Sequence, residues 1–220
     1  MSVPKKTVQL FYDVLSPYAC IAFHVLTRMS EQWTKMDLQL KPALIAGIMQ
    51  STGNQPPGML PARASYMTKD LYRLAEYYDI KFKFPSDVMN VMIVKGSMKA
   101  QRLLTAVKQE CPEHLVNVST QLYSRIYFND QDITEDSSLR EACLAANLSY
   151  ETANKLVAMT SDPEIKEALK KTTNEAVSYG AFGLPSYVVK HNGKPQLLFG
   201  TDRLFLLAHY LGEKMPGSKL

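Results

Sequence analysis

What most constrains the fold is that strand-forming sequence is confined to the two ends of the chain, with a long helix-patterned stretch between them. Thr7 to Tyr12 (TVQLFY) is β-branched and aromatic, the composition of a buried strand. Ser16 can cap a helix and Pro17 suits a first turn, where proline's missing N–H costs nothing. Ile21, Val25, Leu26 and Met29 recur at helical spacing, which predicts a helix reaching Trp33. Leu38 to Leu44 alternates apolar and polar residues as a second strand, and Pro42 near its end suggests a strand that is finishing or at an edge. At the far end, Ser186 to Lys190 (SYVVK) and Gln196 to Phe199 flank Asn192-Gly193, a hairpin turn pair. Thr201-Asp202-Arg203 opens a last helix, predicted to run to about Lys214.

Between these ends the pattern changes. Residues 46–62 are rich in Gly and Pro and read as a long irregular loop, a feature that is usually functional inside a compact domain. From Ala64 to Tyr179 the pattern is helical, with one break at Phe82 to Pro85. Ser149 is placed to cap one helix, and Ser161-Asp162-Pro163-Glu164 combines a cap, an early proline and a capping-box acid. A β-α-β opening and a closing hairpin plus helix are the two halves of a thioredoxin-like domain. The expectation is therefore an α/β chain, with residues 1–62 and 180–220 forming that domain and 63–179 an all-helical insertion.

Composition narrows the function. With 25 basic and 21 acidic residues, a net charge of +4 and no dense Lys/Arg run, a dedicated nucleic-acid binder is not expected. No apolar run approaches a membrane span in length. Cys20, Cys111 and Cys143 are odd in number and widely spaced, which suggests neither a disulfide framework nor a zinc site, and no metal is expected. They fit a reducing intracellular compartment. The terminal Ser218-Lys219-Leu220, after Pro216-Gly217, is the tripeptide read by the peroxisomal import receptor. Peroxisomal location is the expectation, with the mitochondrion as the alternative.

Three places carry candidate chemistry, each of which alone reads as an ordinary cap or turn. Ser16-Pro17-Tyr18-Ala19 stands where thioredoxin-like redox enzymes hold Cys-x-x-Cys, so dithiol exchange through this motif is excluded. A helix N-terminus still favours an anion, and a serine hydroxyl there can donate to a thiolate. Gly183-Leu184-Pro185 precedes the third strand, where a proline of this fold is usually cis and faces the redox position, leaving Leu184 to pair with a peptide-like ligand. Thr201-Asp202 offers a hydroxyl, a helix start and a carboxylate for an amino-acid head group. The fold brings these places to one face. Glutathione requires those three provisions: a γ-glutamyl site, backbone pairing and a stabilised thiolate.

The stretches FYDVLSPY (11–18), GNQPPG (53–58), SYGAFGLP (178–185), FGTDR (199–203) and LGEK (211–214) carry a resemblance to kappa-class glutathione transferases over essentially the full chain. The resemblance implies a homodimer that uses glutathione as co-substrate against a small electrophile, in detoxification, with possible peroxide reduction. It implies Ser16 as the catalytic hydroxyl with Pro17 and Tyr18 as the adjoining wall. Asn54 and Arg63 become further ligand contacts, Arg63 standing where the family usually has lysine and reaching the glycine carboxylate. Leu184 and Pro185 supply the backbone contact, while Thr201, replacing the usual serine, and Asp202 take the γ-glutamyl end. Arg203 acts either in its own site or across the dimer. Ala19-Cys20 departs from the common Ser-Trp. Cys20 reads as a buried core residue or as a reactive thiol. His24, His114, His191 and His209 read as surface or packing residues, and Met67, Tyr72 and Tyr77 as core, dimer face or pocket wall. A chromene-carboxylate isomerase that shares the serine and a non-catalytic assembly protein are the rival readings.

Overall fold

The computed structural model describes residues 4–215; the Ser-Lys-Leu expectation lies outside them. Four strands form one sheet in the order β2-β1-β3-β4: β1 (Lys6–Tyr12), β2 (Met36–Pro42), β3 (Ser186–His191) and β4 (Lys194–Phe199). β1 runs parallel to β2 and antiparallel to β3, and β3 and β4 close as the hairpin predicted at Asn192-Gly193. β2 is an edge strand that ends at Pro42, where a residue without an N–H does no harm to a ladder.

Period-two alternation divides β1 between two cores. Val8, Leu10 and Tyr12 face the larger one, with α1 (Pro17–Gln32) and the helical stretch beyond. Phe11 faces a smaller one with Ala43, Ile48, Ala176, Ala181, Leu184 and Val188.

Residues 46–62 depart from the loop expectation. Ile45–Thr52 is a helix, α2, which buries Ile48 and ends at Gly53 in the left-handed region, φ 70°. Gly53 is the stop signal of a short helix, not part of a loop. A 3-10 turn at Pro57–Met59 then leads to α3 (Pro61–Tyr77), with proline in its first turn. The break at Phe82 to Pro85 is irregular chain whose rings pack against Tyr72 and Tyr127, and a π-helical turn follows at Asn90–Lys95.

The rest of the stretch is α4 (Met98–Glu110), α5 (Leu115–Tyr127), α6 (Asp136–Ala145), α7 (Tyr150–Met159) and α8 (Pro163–Ser178). Ser149 caps α7 by accepting from the Thr152 N–H at 3.1 Å. Asp162 stands at the cap position of α8, but its side chain makes no capping bond. The final helix is shorter than expected: a 3-10 turn occupies Thr201–Arg203 and α9 runs Leu204–Leu211. Gly212, again left-handed at φ 70°, ends it before Lys214.

Candidate active site

Ser16 is the N-cap of α1, with extended backbone and a hydroxyl that accepts from the Ala19 N–H at 3.2 Å. The same oxygen donates to the Leu184 carbonyl at 2.9 Å. Leu184-Pro185 is the cis bond expected from the sequence, and it lies across from the start of α1. The two sequence-distant motifs therefore meet at one hydroxyl. Ser16 is almost wholly buried, at 4% exposure, so its rotamer is set by the protein and not by water.

A second pair of bonds brings in the third motif. Thr201 Oγ1 donates to the Tyr18 carbonyl at 2.9 Å, and the Gly200 N–H donates to the Pro185 carbonyl at 3.1 Å. Thr201 is buried, so its hydroxyl also braces the turn against α1. Asp202 and Arg203 project outward and pair with each other at 2.6 Å. Gly200 has φ 90°, and a Cβ there would lie 2.6 Å from Asp202 Oδ1. Only glycine allows the carboxylate to sit where it does.

Asn54 reaches the rim from the segment after α2, its Nδ2 donating to the Phe182 carbonyl at 2.7 Å. Arg63, exposed in the first turn of α3, lines a hollow of about 300 Å³ with Tyr18, Pro57, Ala62, Tyr66 and Met67. Tyr18 also donates to Asp70 Oδ2 at 2.9 Å, and burial, then the Asp70 carboxylate, raise its phenol pKa well above normal. The hollow thus opens beside Ser16's neighbour, with one cation in an aromatic and aliphatic wall.

The structure adds residues that local pattern did not reveal. Gln101 in α4 accepts from the Val14 N–H at 3.3 Å and donates to the Tyr12 and Ala43 carbonyls at 2.9 and 2.8 Å. Tyr123 and Tyr127 in α5 donate to the Asp13 and Leu15 carbonyls at 3.3 and 2.5 Å. Asp13 itself is wholly buried, and burial lifts its carboxyl to about 6 against the pull of its hydrogen bonds. The only available signals were an acid closing an apolar strand and a glutamine on the buried face of a helix.

Cys20 is wholly buried, and burial pushes its thiol well up, the opposite of an activated cysteine. His24 packs among Phe23, Tyr123 and Phe128 and contacts the Cys20 carbonyl at 2.8 Å. His191 stacks on Tyr210. Met67 lines the hollow, while Tyr72 and Tyr77 are exposed, the former against Phe82 and Phe84. Among the described residues, no group of three His, Cys, Asp or Glu is placed to hold a metal, and no helix is long and apolar enough to cross a membrane.

Comparison with known proteins identifies the family. A DsbA-like thioredoxin domain model matches residues 7–212. Human glutathione S-transferase kappa 1 is 47% identical over 212 residues, covering 96% of this chain and 93% of the relative. The chain belongs to the kappa-class glutathione transferases. Glutathione S-transferase kappa 2 of Caenorhabditis elegans is 34% identical, covering 97% of this chain and 95% of the relative. Among solved structures, a 2-hydroxychromene-2-carboxylate isomerase superposes with a TM-score of 0.77 at 17% identity, covering 94% of each chain, a likeness of fold.

Proposed function

We propose that the chain binds glutathione across the face formed by Ser16, Pro17, Tyr18, Leu184, Pro185, Thr201 and Asp202 and holds its thiol as a thiolate for attack on a small electrophile. The observation that carries this reading is the Ser16 hydroxyl, fixed at a helix N-terminus between the Ala19 N–H and the Leu184 carbonyl, with alanine where a second thiol would stand. By turning its proton from the carbonyl toward a sulfur, Ser16 would stabilise the anion without becoming a nucleophile. A free thiol has a pKa of about 8.5, and lowering it by about 2 makes the thiolate dominant at neutral pH, a stabilisation of about 2.7 kcal/mol. A charge-assisted hydrogen bond and a helix N-terminus are of that order together.

In this reading Asp202 exchanges its bond to Arg203 for the ligand's ammonium, the start of the 201–203 turn takes the γ-glutamyl carboxylate, and Leu184 pairs with the cysteinyl unit. Asn54 and Arg63 serve the glycyl end. The hollow beside Tyr18 receives the electrophile, a carbon centre or a hydroperoxide oxygen, in detoxification chemistry. Residues 1–62 and 180–220 act as the glutathione-binding unit and 63–179 as the insertion. The protein works as a homodimer, with Arg203 near its own site or a partner's. The import receptor reads Ser218-Lys219-Leu220 and directs it to the peroxisome.

The test is an ultraviolet titration of bound glutathione. A thiol pKa well below that of free glutathione supports the reading. An ordinary pKa with glutathione still bound sinks it and points to a binding or assembly protein. A second reading, glutathione-dependent chromene-carboxylate isomerisation, is favoured by the shared fold at a TM-score of 0.77. Turnover of a chromene carboxylate but not of an aryl halide would select it.

A further inference from the structure

The carboxylate of Asp13 gathers three segments that are far apart in the chain. Its Oδ1 accepts from the Leu15 N–H at 2.9 Å, inside the turn that carries Ser16. Its Oδ2 accepts from the Ile45 N–H at 2.8 Å, at the first residue of α2, and from Ser97 Oγ at 2.9 Å, at the cap position of α4. Its own carbonyl accepts from the Ser16 N–H at 3.0 Å. None of the donors to the carboxylate is a cation. The titratable groups facing it are the phenols of Tyr12, Tyr123 and Tyr127, all wholly buried, with pKa values raised by burial first.

A buried carboxylate with three neutral donors is costly as a mere structural filler, since its desolvation is offset only in part. One of its bonds, from the Leu15 N–H, lies inside the turn whose geometry decides where the Ser16 hydroxyl points, and the other two anchor that turn to the starts of α2 and α4. We propose that Asp13 is the positioning residue of that hydroxyl. Through Ser97 it ties the start of α4 to the strand-to-helix turn, so that the hydroxyl is held on the line to a bound sulfur. This deepens, and rests on, the serine–thiolate reading above. Asp13 touches neither substrate nor sulfur; it acts through the backbone of Leu15 and Ser16. Asparagine at this position keeps the shape but directs an NH2 group at the Ile45 N–H or the Leu15 N–H, and so releases one anchor.

The experiment measures the pKa of glutathione bound to the full chain by thiolate absorbance, for wild type, Asp13→Asn and Ser97→Ala, together with kcat and KM for glutathione. The expected result for Asp13→Asn is a bound thiol pKa higher by about 1 and a kcat about tenfold lower near neutral pH. KM for glutathione should change by less than about threefold, because the head-group contacts are untouched. Ser97→Ala should move the thiol in the same direction by about half as much, and it decides the matter alone if Asp13→Asn does not fold. A folded variant whose bound thiol titrates as in wild type overturns the proposal, even if its kcat has fallen. An undepressed thiol in wild type overturns the serine–thiolate reading and this one with it. A depressed wild-type thiol with unmoved variants overturns only the role of Asp13.

Discussion

The two ends of the site are built in opposite ways. The Ser16 turn is buried and cross-braced, with its carbonyls at Tyr12, Asp13 and Leu15 all taken by side chains of α4 and α5. The proposed recognition end is open: Asp202 and Arg203, at the γ-glutamyl side, have side chains 68% and 49% exposed and are bonded to each other, and Arg63, at the glycyl side, is exposed on the surface. In the proposed reading the chemical end is thus preorganised, whereas the recognition end exchanges partners as a ligand arrives. Preorganised donors avoid reorganisation when charge develops. An exposed ion pair contributes little and is easily exchanged.

Four measurements test this contrast. The largest effect belongs to the buried end and is one of stability. Burial raises the folded-state pKa of Asp13 to about 6, above its ordinary carboxylate value, so the folded protein holds that proton more tightly than the unfolded chain does. Stability from this group is therefore present in full below pH 4 and is lost as the pH rises toward 6, by about 3 kcal/mol. Urea unfolding between pH 4 and 7.5 should show wild type losing that much relative to Asp13→Asn, and a constant difference would mean that the carboxyl titrates normally.

Next in size is Ser16→Ala, expected to cut turnover about a hundredfold while the glutathione dissociation constant moves less than about threefold. Steady-state kinetics beside calorimetric binding would check it, and equal losses in both would place Ser16 in recognition. At the open end, Gly200→Ala forces a Cβ onto Asp202 Oδ1 and should raise KM for glutathione about tenfold with kcat within about twofold. A fall in kcat alone would erase the division of labour. The smallest effect is that of Arg63→Ala, a rise in KM of about threefold that shrinks in high salt because the group is exposed. A salt-independent loss would show the guanidinium to be buried by the ligand.

The same contrast governs what was legible in the sequence. Ser16-Pro17, Leu184-Pro185, Asn192-Gly193 and Thr201-Asp202 announce themselves because caps, turns and helix starts are local chemistry. The helix α2 was hidden because it is short, buries one side chain and is followed directly by glycine and two prolines, a window that reads as loop. The bracing of Ser16 was hidden for a different reason. Gln101 and Tyr127 look like ordinary members of helix faces, and nothing local says that their polar ends reach residues 12 to 15. Contacts spanning 84 to 112 positions, such as Ser97 with Asp13 and Tyr127 with Leu15, exist only once the fold is made.

The sheet order has a consequence for how the chain is made. β1 can pair with β2 as soon as both leave the ribosome, but its other edge pairs with β3, Val8 opposite Val189. That edge stays unmatched while the whole helical stretch is synthesised, at roughly 5–20 residues per second. Closing so long a loop carries an entropic penalty before the contact rewards it, so β3 joins late and slowly. Nascent chains stalled before residue 186 should display an open strand edge, the state in which this protein most needs a chaperone.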